Sequence, residues 1–255
     1  ACQRFPVCFR HVFGDFHQLG HGVDAEEVDL LDGLGAKGTG LAYGGVSTAQ
    51  DECILHYTRV NSFGTRHVAV TTANDIWVSG TSGRRFDLID GVTGAIKRSE
   101  NSVGFGGYGG LIDRNGVIWS ANPMLRWDTS KPLNGPNGVN WRGYSHPSYG
   151  LCIDSLGNVY NTSFGNGTIR KFSPDGTLIG SFNQGSSFAQ GCVVDRNDDI
   201  WVAHSLNTNT VGHIKSNGTY VGTITVGSGP TGVAVDGDGR IWATNFHSRT
   251  VSRIN

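Results

Sequence analysis

Gly229-Pro-Thr-Gly-Val-Ala-Val-Asp236-Gly-Asp-Gly-Arg-Ile-Trp242-Ala-Thr-Asn245 is the stretch that decides the fold. A short apolar run ends at an Asp, a Gly-rich turn follows, and an Ile-Trp pair opens a second apolar run. The phrase recurs as Thr71 to Trp77, Asp113 to Trp119, Asp154 to Tyr160 and Asp195 to Trp201. The first residues of the five copies are 42, 41, 41 and 41 positions apart, the mark of a repeat architecture. Its fourth column holds Asn74, Gly116, Gly157, Asp198 and Gly239, the residue types that tolerate the positive φ of a tight hairpin. The leading Asp can cap that turn by accepting backbone N–H bonds, and Thr71 can do so more weakly.

Further strand-like runs follow the phrase, such as Thr168–Phe172 with Gly176–Phe182, and Thr210–Ile214 with Gly218–Ile224. Four short strands in each ~40 residues make one propeller blade. The expected architecture is all-β: a single β-propeller domain over 1–255, with six four-stranded blades or, alternatively, seven. Residues 66–255 supply five repeats, starting near 66, 108, 149, 190 and 231. Residues 1–65 supply an irregular strand, a short helix after Asp24-Ala-Glu-Glu27, and a first blade whose outer strand is Ile54–Thr58. The last repeat reaches only its third strand, and Val7–Phe13 is expected to complete that blade and close the ring.

Composition narrows the partners. With 20 basic residues against 21 acidic ones, the chain has no field to attract nucleic acid. No stretch approaches the ~18 continuous apolar residues of a membrane-spanning helix. Gly-rich phosphate loops, haem-attachment motifs and dinucleotide fingerprints are missing, so nucleotide, haem and flavin are not expected. Cys2, Cys8, Cys53, Cys152 and Cys192 form no zinc-ligand spacing. A bridge among the first three is plausible, whereas Cys152 and Cys192 read as buried small hydrophobes. Asn161, Asn166 and Asn217 head Asn-x-Ser/Thr triplets, which favours an extracellular, secreted protein; Ala1-Cys2 suits either a mature start or a fragment. Asp15 to Glu27 has the look of a calcium loop, but His17 and Leu19 stand where oxygen ligands belong.

The Gly229 to Asn245 phrase resembles the NHL-type repeat. It is also similar to the blades of the virginiamycin B (streptogramin) lyase family and, more distantly, of the gluconolactonase group, over roughly residues 66–255. The resemblance implies that first strands line a central channel and that ligands sit at one mouth. The mouth is then built from the residues before each first strand and the loops after each second strand. On this chain those positions are His67, Tyr108, Tyr149, Gln190 and Thr231, then Gly80, Asn122, Ser163, His204 and Asn245, with Arg84, Arg85 and His247 nearby.

The lyases that this chain resembles carry a histidine after the proline and a glutamate closing the second phrase, which support magnesium and proton abstraction. Those columns hold Thr231 and Asn245 in the last repeat, and Gln190 and His204 in the one before. A hard cation wants anionic oxygens and a lyase wants a base, so only His204, with His247, is left for catalysis. No metal ligand set is assigned, although a divalent metal belongs with the enzyme alternative. Trp77, Trp119, Trp201 and Trp242 recur with the repeat and read as inter-blade core. Trp127, Trp141, Tyr144 and His146 fall outside the phrase, the last three between Pro132 and Pro147, and Trp141 is expected as an exposed binding aromatic. Ser163 and Ser205 lie in no nucleophile elbow. The expected function is an extracellular NHL-like binding or scaffold module for a small-molecule, glycan or protein ligand. The alternative is a metal-dependent lyase or hydrolase acting at the channel mouth.

Overall fold

The computed structural model describes residues 56–254 except Asn207. The chain divides into two compact units, residues 1–59 and 60–255. Of the first, residues 56–59 are described and hold no strand, so the described part of Ile54–Thr58 is not the expected outer strand. The Val7–Phe13 strand, the helix after Asp24, the Asp15–Glu27 loop and Cys2, Cys8 and Cys53 lie outside the described residues.

The second unit is a run of antiparallel sheets. The first contains β1 (Phe63–Val70), β2 (Ile76–Ser82), β3 (Phe86–Ile89) and β4 (Ile96–Glu100). The second contains β5 (Gly110–Ile112), β6 (Val117–Ser120), β7 (Met124–Asp128) and β8 (Trp141–Tyr144). The third contains β9 (Leu151–Ile153), β10 (Val159–Asn161), β11 (Thr168–Phe172) and β12 (Leu178–Asn183). The fourth contains β13 (Ala189–Val194), β14 (Ile200–His204), β15 (Thr210–Ile214) and β16 (Tyr220–Thr225). The fifth has three strands among the described residues, β17 (Pro230–Val235), β18 (Ile241–Asn245) and β19 (Thr250–Ile254). Each sheet meets the next through its first strand, β1 with β5, β5 with β9, β9 with β13 and β13 with β17, which is the β-propeller arrangement. Among the described residues no helix is long and apolar enough to cross a membrane.

The repeated phrase is the hairpin between the first two strands of each sheet. Asn74, Gly116, Gly157, Asp198 and Gly239 all take positive φ, between 60° and 85°. Asp113 Oδ1 accepts from the amides of Asn115 (2.8 Å) and Val117 (3.0 Å), and Asp154, Asp195 and Asp236 repeat that pair of bonds. Thr71 Oγ1 accepts one, from Asp75 at 3.0 Å. The second carboxylate oxygen reaches the aromatic column: Trp201 Nε1 donates to Asp195 Oδ2 at 2.9 Å and Trp242 Nε1 to Asp236 Oδ2 at 2.8 Å.

Cores form between neighbouring sheets, as the recurrence of the large aromatics requires. Trp77, Phe86, Ile118, Leu125 and Trp127 fill one, and Trp201, Val211, Ile241 and Ala243 another. Two expectations change here. Trp242 is 37% exposed and not core. Trp141 is buried rather than displayed: it opens β8, packs with Trp127 and Leu133, and donates its Nε1–H to Gly135 O at 3.1 Å. The segment around residues 132–147 returns as a strand and therefore hides the ring that the Gly- and Asn-rich composition made look exposed.

Candidate functional site

Antiparallel pairing of the first two strands brings the residue before each first strand beside the loop after each second strand. Tyr149 N–H donates to Thr162 O (3.0 Å), Ser205 N–H to Phe188 O (2.8 Å) and Phe246 N–H to Gly229 O (2.9 Å). The Asp-capped turns occupy the opposite end of these hairpins. One end of the sheets therefore gathers the non-repeating residues.

A continuous aromatic row runs across that end. The Arg66 guanidinium lies 4.4 Å from the Tyr108 ring centroid. Tyr108 and Tyr149 meet at 4.8 Å between centroids and 63° between planes, with 2.5 Å between their hydroxyls. Tyr149 is 5.5 Å from Phe164, and Phe164 is 5.5 Å from Phe188. These residues come from four sheets, and they are half-buried except Phe188, which is 40% exposed. Edge-to-face and tilted pairs at these spacings attract through their quadrupoles, and a cation over a ring face adds to that.

Gln184 fixes the loop that carries Phe164. Its fully buried amide accepts from Ser163 N–H (3.2 Å), and its Nε2 lies 2.7 Å from Ser163 O, 2.7 Å from Asn166 O and 2.8 Å from Ser186 O. Its own carbonyl meets His204 Nε2 at 2.7 Å, while His204 Nδ1 lies 2.9 Å from Thr210 Oγ1. His204 is thus a fully buried strut with both ring nitrogens engaged, not a mouth residue. Its burial lowers its pKa, the Gln184 carbonyl opposing in part. The neutral ring donates from Nε2 and accepts at Nδ1, which leaves no lone pair for a substrate proton.

His67 is also fully buried. Its Nδ1 lies 3.0 Å from Ser120 Oγ, its ring meets Phe86 edge-on at 5.4 Å, and its Nε2 has no partner. Desolvation lowers its pKa to about 4, so the imidazole is neutral at physiological pH. His247 is exposed, its ring against Phe246 at 5.3 Å. No hydrogen bond or ring contact links it to His204, so the expected catalytic pair does not assemble.

The remaining expected residues divide. Asn122 is exposed in the loop after β6, and its N–H donates to Ser148 Oγ at 3.2 Å. Gln190 is half-buried, and its carbonyl accepts from Thr162 Oγ1 at 2.6 Å, linking the third and fourth sheets. Thr231 Oγ1 sits 3.3 Å from Thr244 Oγ1. Asn245, at 2% exposure, points inward and donates to Thr250 Oγ1 (3.1 Å) and Ser252 Oγ (3.0 Å), so it leaves the mouth. Arg84 donates to Gly104 O at 2.7 Å, and Arg85 Nε is buried without a partner. Tyr108 and Tyr149 are the expected residues that the fold brings into contact. Phe164, Phe188, Arg66 and Gln184 are the members that sequence reasoning missed.

Among the described residues no three His, Cys, Asp or Glu side chains gather at a point where a metal could sit. The row offers phenol hydroxyls, ring faces and a guanidinium, a donor set that does not fit a hard divalent cation.

No family model matches the chain, and no curated protein matches it by sequence. Solved structures do match. Streptogramin B lyase superposes with a TM-score of 0.61 at 17% identity, over 78% of this chain and 70% of that one. Virginiamycin B lyase from Staphylococcus aureus gives 0.61 at 16% identity, over 75% and 70%. A catalytically inactive variant of that enzyme with Quinupristin gives 0.63 at 16% identity, over 78% and 72%. At these identities the likeness is one of fold.

Proposed function

We propose that this chain is an NHL-like β-propeller that binds a ligand with sugar or aromatic rings across the Arg66–Tyr108–Tyr149–Phe164–Phe188 row. The observation that carries the reading is the continuity of that row over four sheets, with its central loop locked by Gln184. Flat, half-exposed rings in a fixed file give contact area at low entropic cost. A protein ligand presenting aromatic side chains would use the same surface. We read the protein as extracellular. Of the three glycosylation triplets Asn217 is exposed, whereas Asn161 is fully buried, with its Oδ1 2.9 Å from His146 Nε2, and Asn166 is half-buried. We keep six blades as the ring count, the last completed by Val7–Phe13.

The test is a binding screen of oligosaccharides and aryl carboxylates, followed by Tyr149→Ala and Phe188→Ala. Each substitution is expected to weaken a hit by about tenfold or more while the melting temperature stays near that of the parent. Affinity unchanged in both variants sinks the reading. The enzyme alternative draws on the shared lyase fold, and the engaged ring of His204 counts against it. Turnover of Quinupristin by the purified chain would reinstate that alternative.

A further inference from the structure

We infer that Cys152 and Cys192 form a disulfide that ties the third sheet to the fourth through their first strands. The two residues sit on β9 and β13, which pack against each other, and both line one apolar cluster with Ile169, Ile200 and Val202. Their offset along the repeat explains the meeting. A full period from Cys152 falls on Val193, so Cys192 stands one residue earlier, in the column of Leu151. Successive strand residues face opposite sides of a sheet. One cysteine therefore looks forward from the third sheet and the other looks back from the fourth. The register irregularity between Ala189 and Cys192 belongs to the same stretch.

Both thiols are free, Cys192 packs against the cluster that holds Cys152, and its side chain is close enough to act on the Cys152 thiol. The backbones around them are pressed together. A Cβ added at Gly150 would stand 2.2 Å from Gln190 O, and Thr162 Oγ1 bridges the same carbonyl. The pair is thus held by strands that have little freedom to separate. Burial also raises the Cys152 thiol's pKa well above its ordinary value, which keeps it protonated and unreactive towards outside reagents.

The oxidant is a low-molecular-weight disulfide. The thiolate of half-buried Cys192 attacks it and expels one small thiolate, leaving a mixed disulfide on Cys192. Cys152 Sγ, losing its proton, then attacks Cys192 Sγ and expels the second small thiolate. Two protein thiols lose two electrons and two protons, and one small disulfide becomes two small thiols. The product links the sheet bearing Tyr149 and Phe164 to the sheet that opens beside Phe188.

The experiment equilibrates the full chain with oxidised and reduced glutathione, blocks remaining thiols with iodoacetamide in urea, and maps non-reduced tryptic peptides. The expected result is residues 143–170 joined to residues 172–196, lighter by two hydrogens than the separate pair. Oxidation is also expected to raise the melting temperature by about 10 °C in the parent, from closure of a loop of about 40 residues. In Cys192→Ala that rise is absent. Quantitative alkylation of both residues after equilibration, or linkage of Cys152 to Cys2, Cys8 or Cys53 instead, overturns the inference.

Discussion

Lowering the pH from 7 to 4 should weaken the fold chiefly through buried histidines, and His67 sets the scale. Its folded pKa of about 4 lies below the ordinary value of 6.5, with desolvation the larger cause and the Gly109 backbone opposing. Between those two values the unfolded chain takes up a proton at this site and the folded chain does not. Stability from this group is therefore complete above pH 6.5, falls as the pH drops towards 4, and changes no further below. A displacement of 2.5 units at about 1.4 kcal/mol each amounts to roughly 3 kcal/mol. His204 and His146 are shifted the same way, both mainly by burial, so the parent loses more than His67 alone explains. The carboxylates act elsewhere. Asp90 and Asp236 are held at about 2 by hydrogen bonds, and what they contribute disappears only below their ordinary value of 3.8.

The clean perturbation is His67→Asn, which can keep a partner for Ser120 Oγ and cannot titrate. Urea unfolding followed by tryptophan fluorescence at pH 7, 6, 5 and 4.5 gives the stability of each protein. The variant starts less stable at pH 7, and the gap should close by up to about 3 kcal/mol across the window. Parallel curves for parent and variant would show that His67 is not buried as a neutral ring, and the argument would fail.

Gln184→Ala should cost about 2–4 kcal/mol in urea melts, because it strands the buried carbonyl of Ser163 and the half-buried one of Asn166. It should also raise amide exchange at residues 163–167 and loosen any ligand held by Phe164; a change under about 0.5 kcal/mol would rule out the clamp. If Val7–Phe13 completes the last blade, deleting residues 1–13 should expose β19 (Thr250–Ile254) to rapid hydrogen exchange. Protection unchanged in the truncated chain would exclude that closure.

The architecture was legible because its determinants repeat. An Asp, a positive-φ turn residue and an Ile-aromatic pair returning every 41 residues leave few folds, and the turn column behaves as its residue types require. The mouth was legible only to within one residue. The column Asn122, Ser163, His204 and Asn245 lies at the end of the second strand or just past it, and its last three members are buried. The next column holds Pro123, Phe164, Ser205 and Phe246, and from it Phe164 joins the aromatic row. In a strand one residue is the difference between the two faces of a sheet, and the polar column was the tempting choice because polar residues usually face water. Here the buried polar members bond inward to neighbours, His204 to Gln184 and Thr210 and Asn245 to Thr250 and Ser252.

The same logic explains why Gln184 and Phe188 went unnoticed. One period from Gln184 stand Gly143 and Thr225, and one period from Phe188 stand Pro147 and Gly229, so neither belongs to a recurring column. A repeat detects what every blade needs, the turn, the cap and the inter-sheet aromatic. A binding surface needs the blades to differ, because identical rims would offer a ligand no single register. Arg66, Tyr108, Tyr149, Phe164 and Phe188 meet in space although only the first three share a column, and Phe164 and Phe188 stand outside it. The row is assembled by blade packing from residues that periodicity treats as noise. In a fold of this kind the candidate site is therefore best sought where large rings break the repeat and lie against one another.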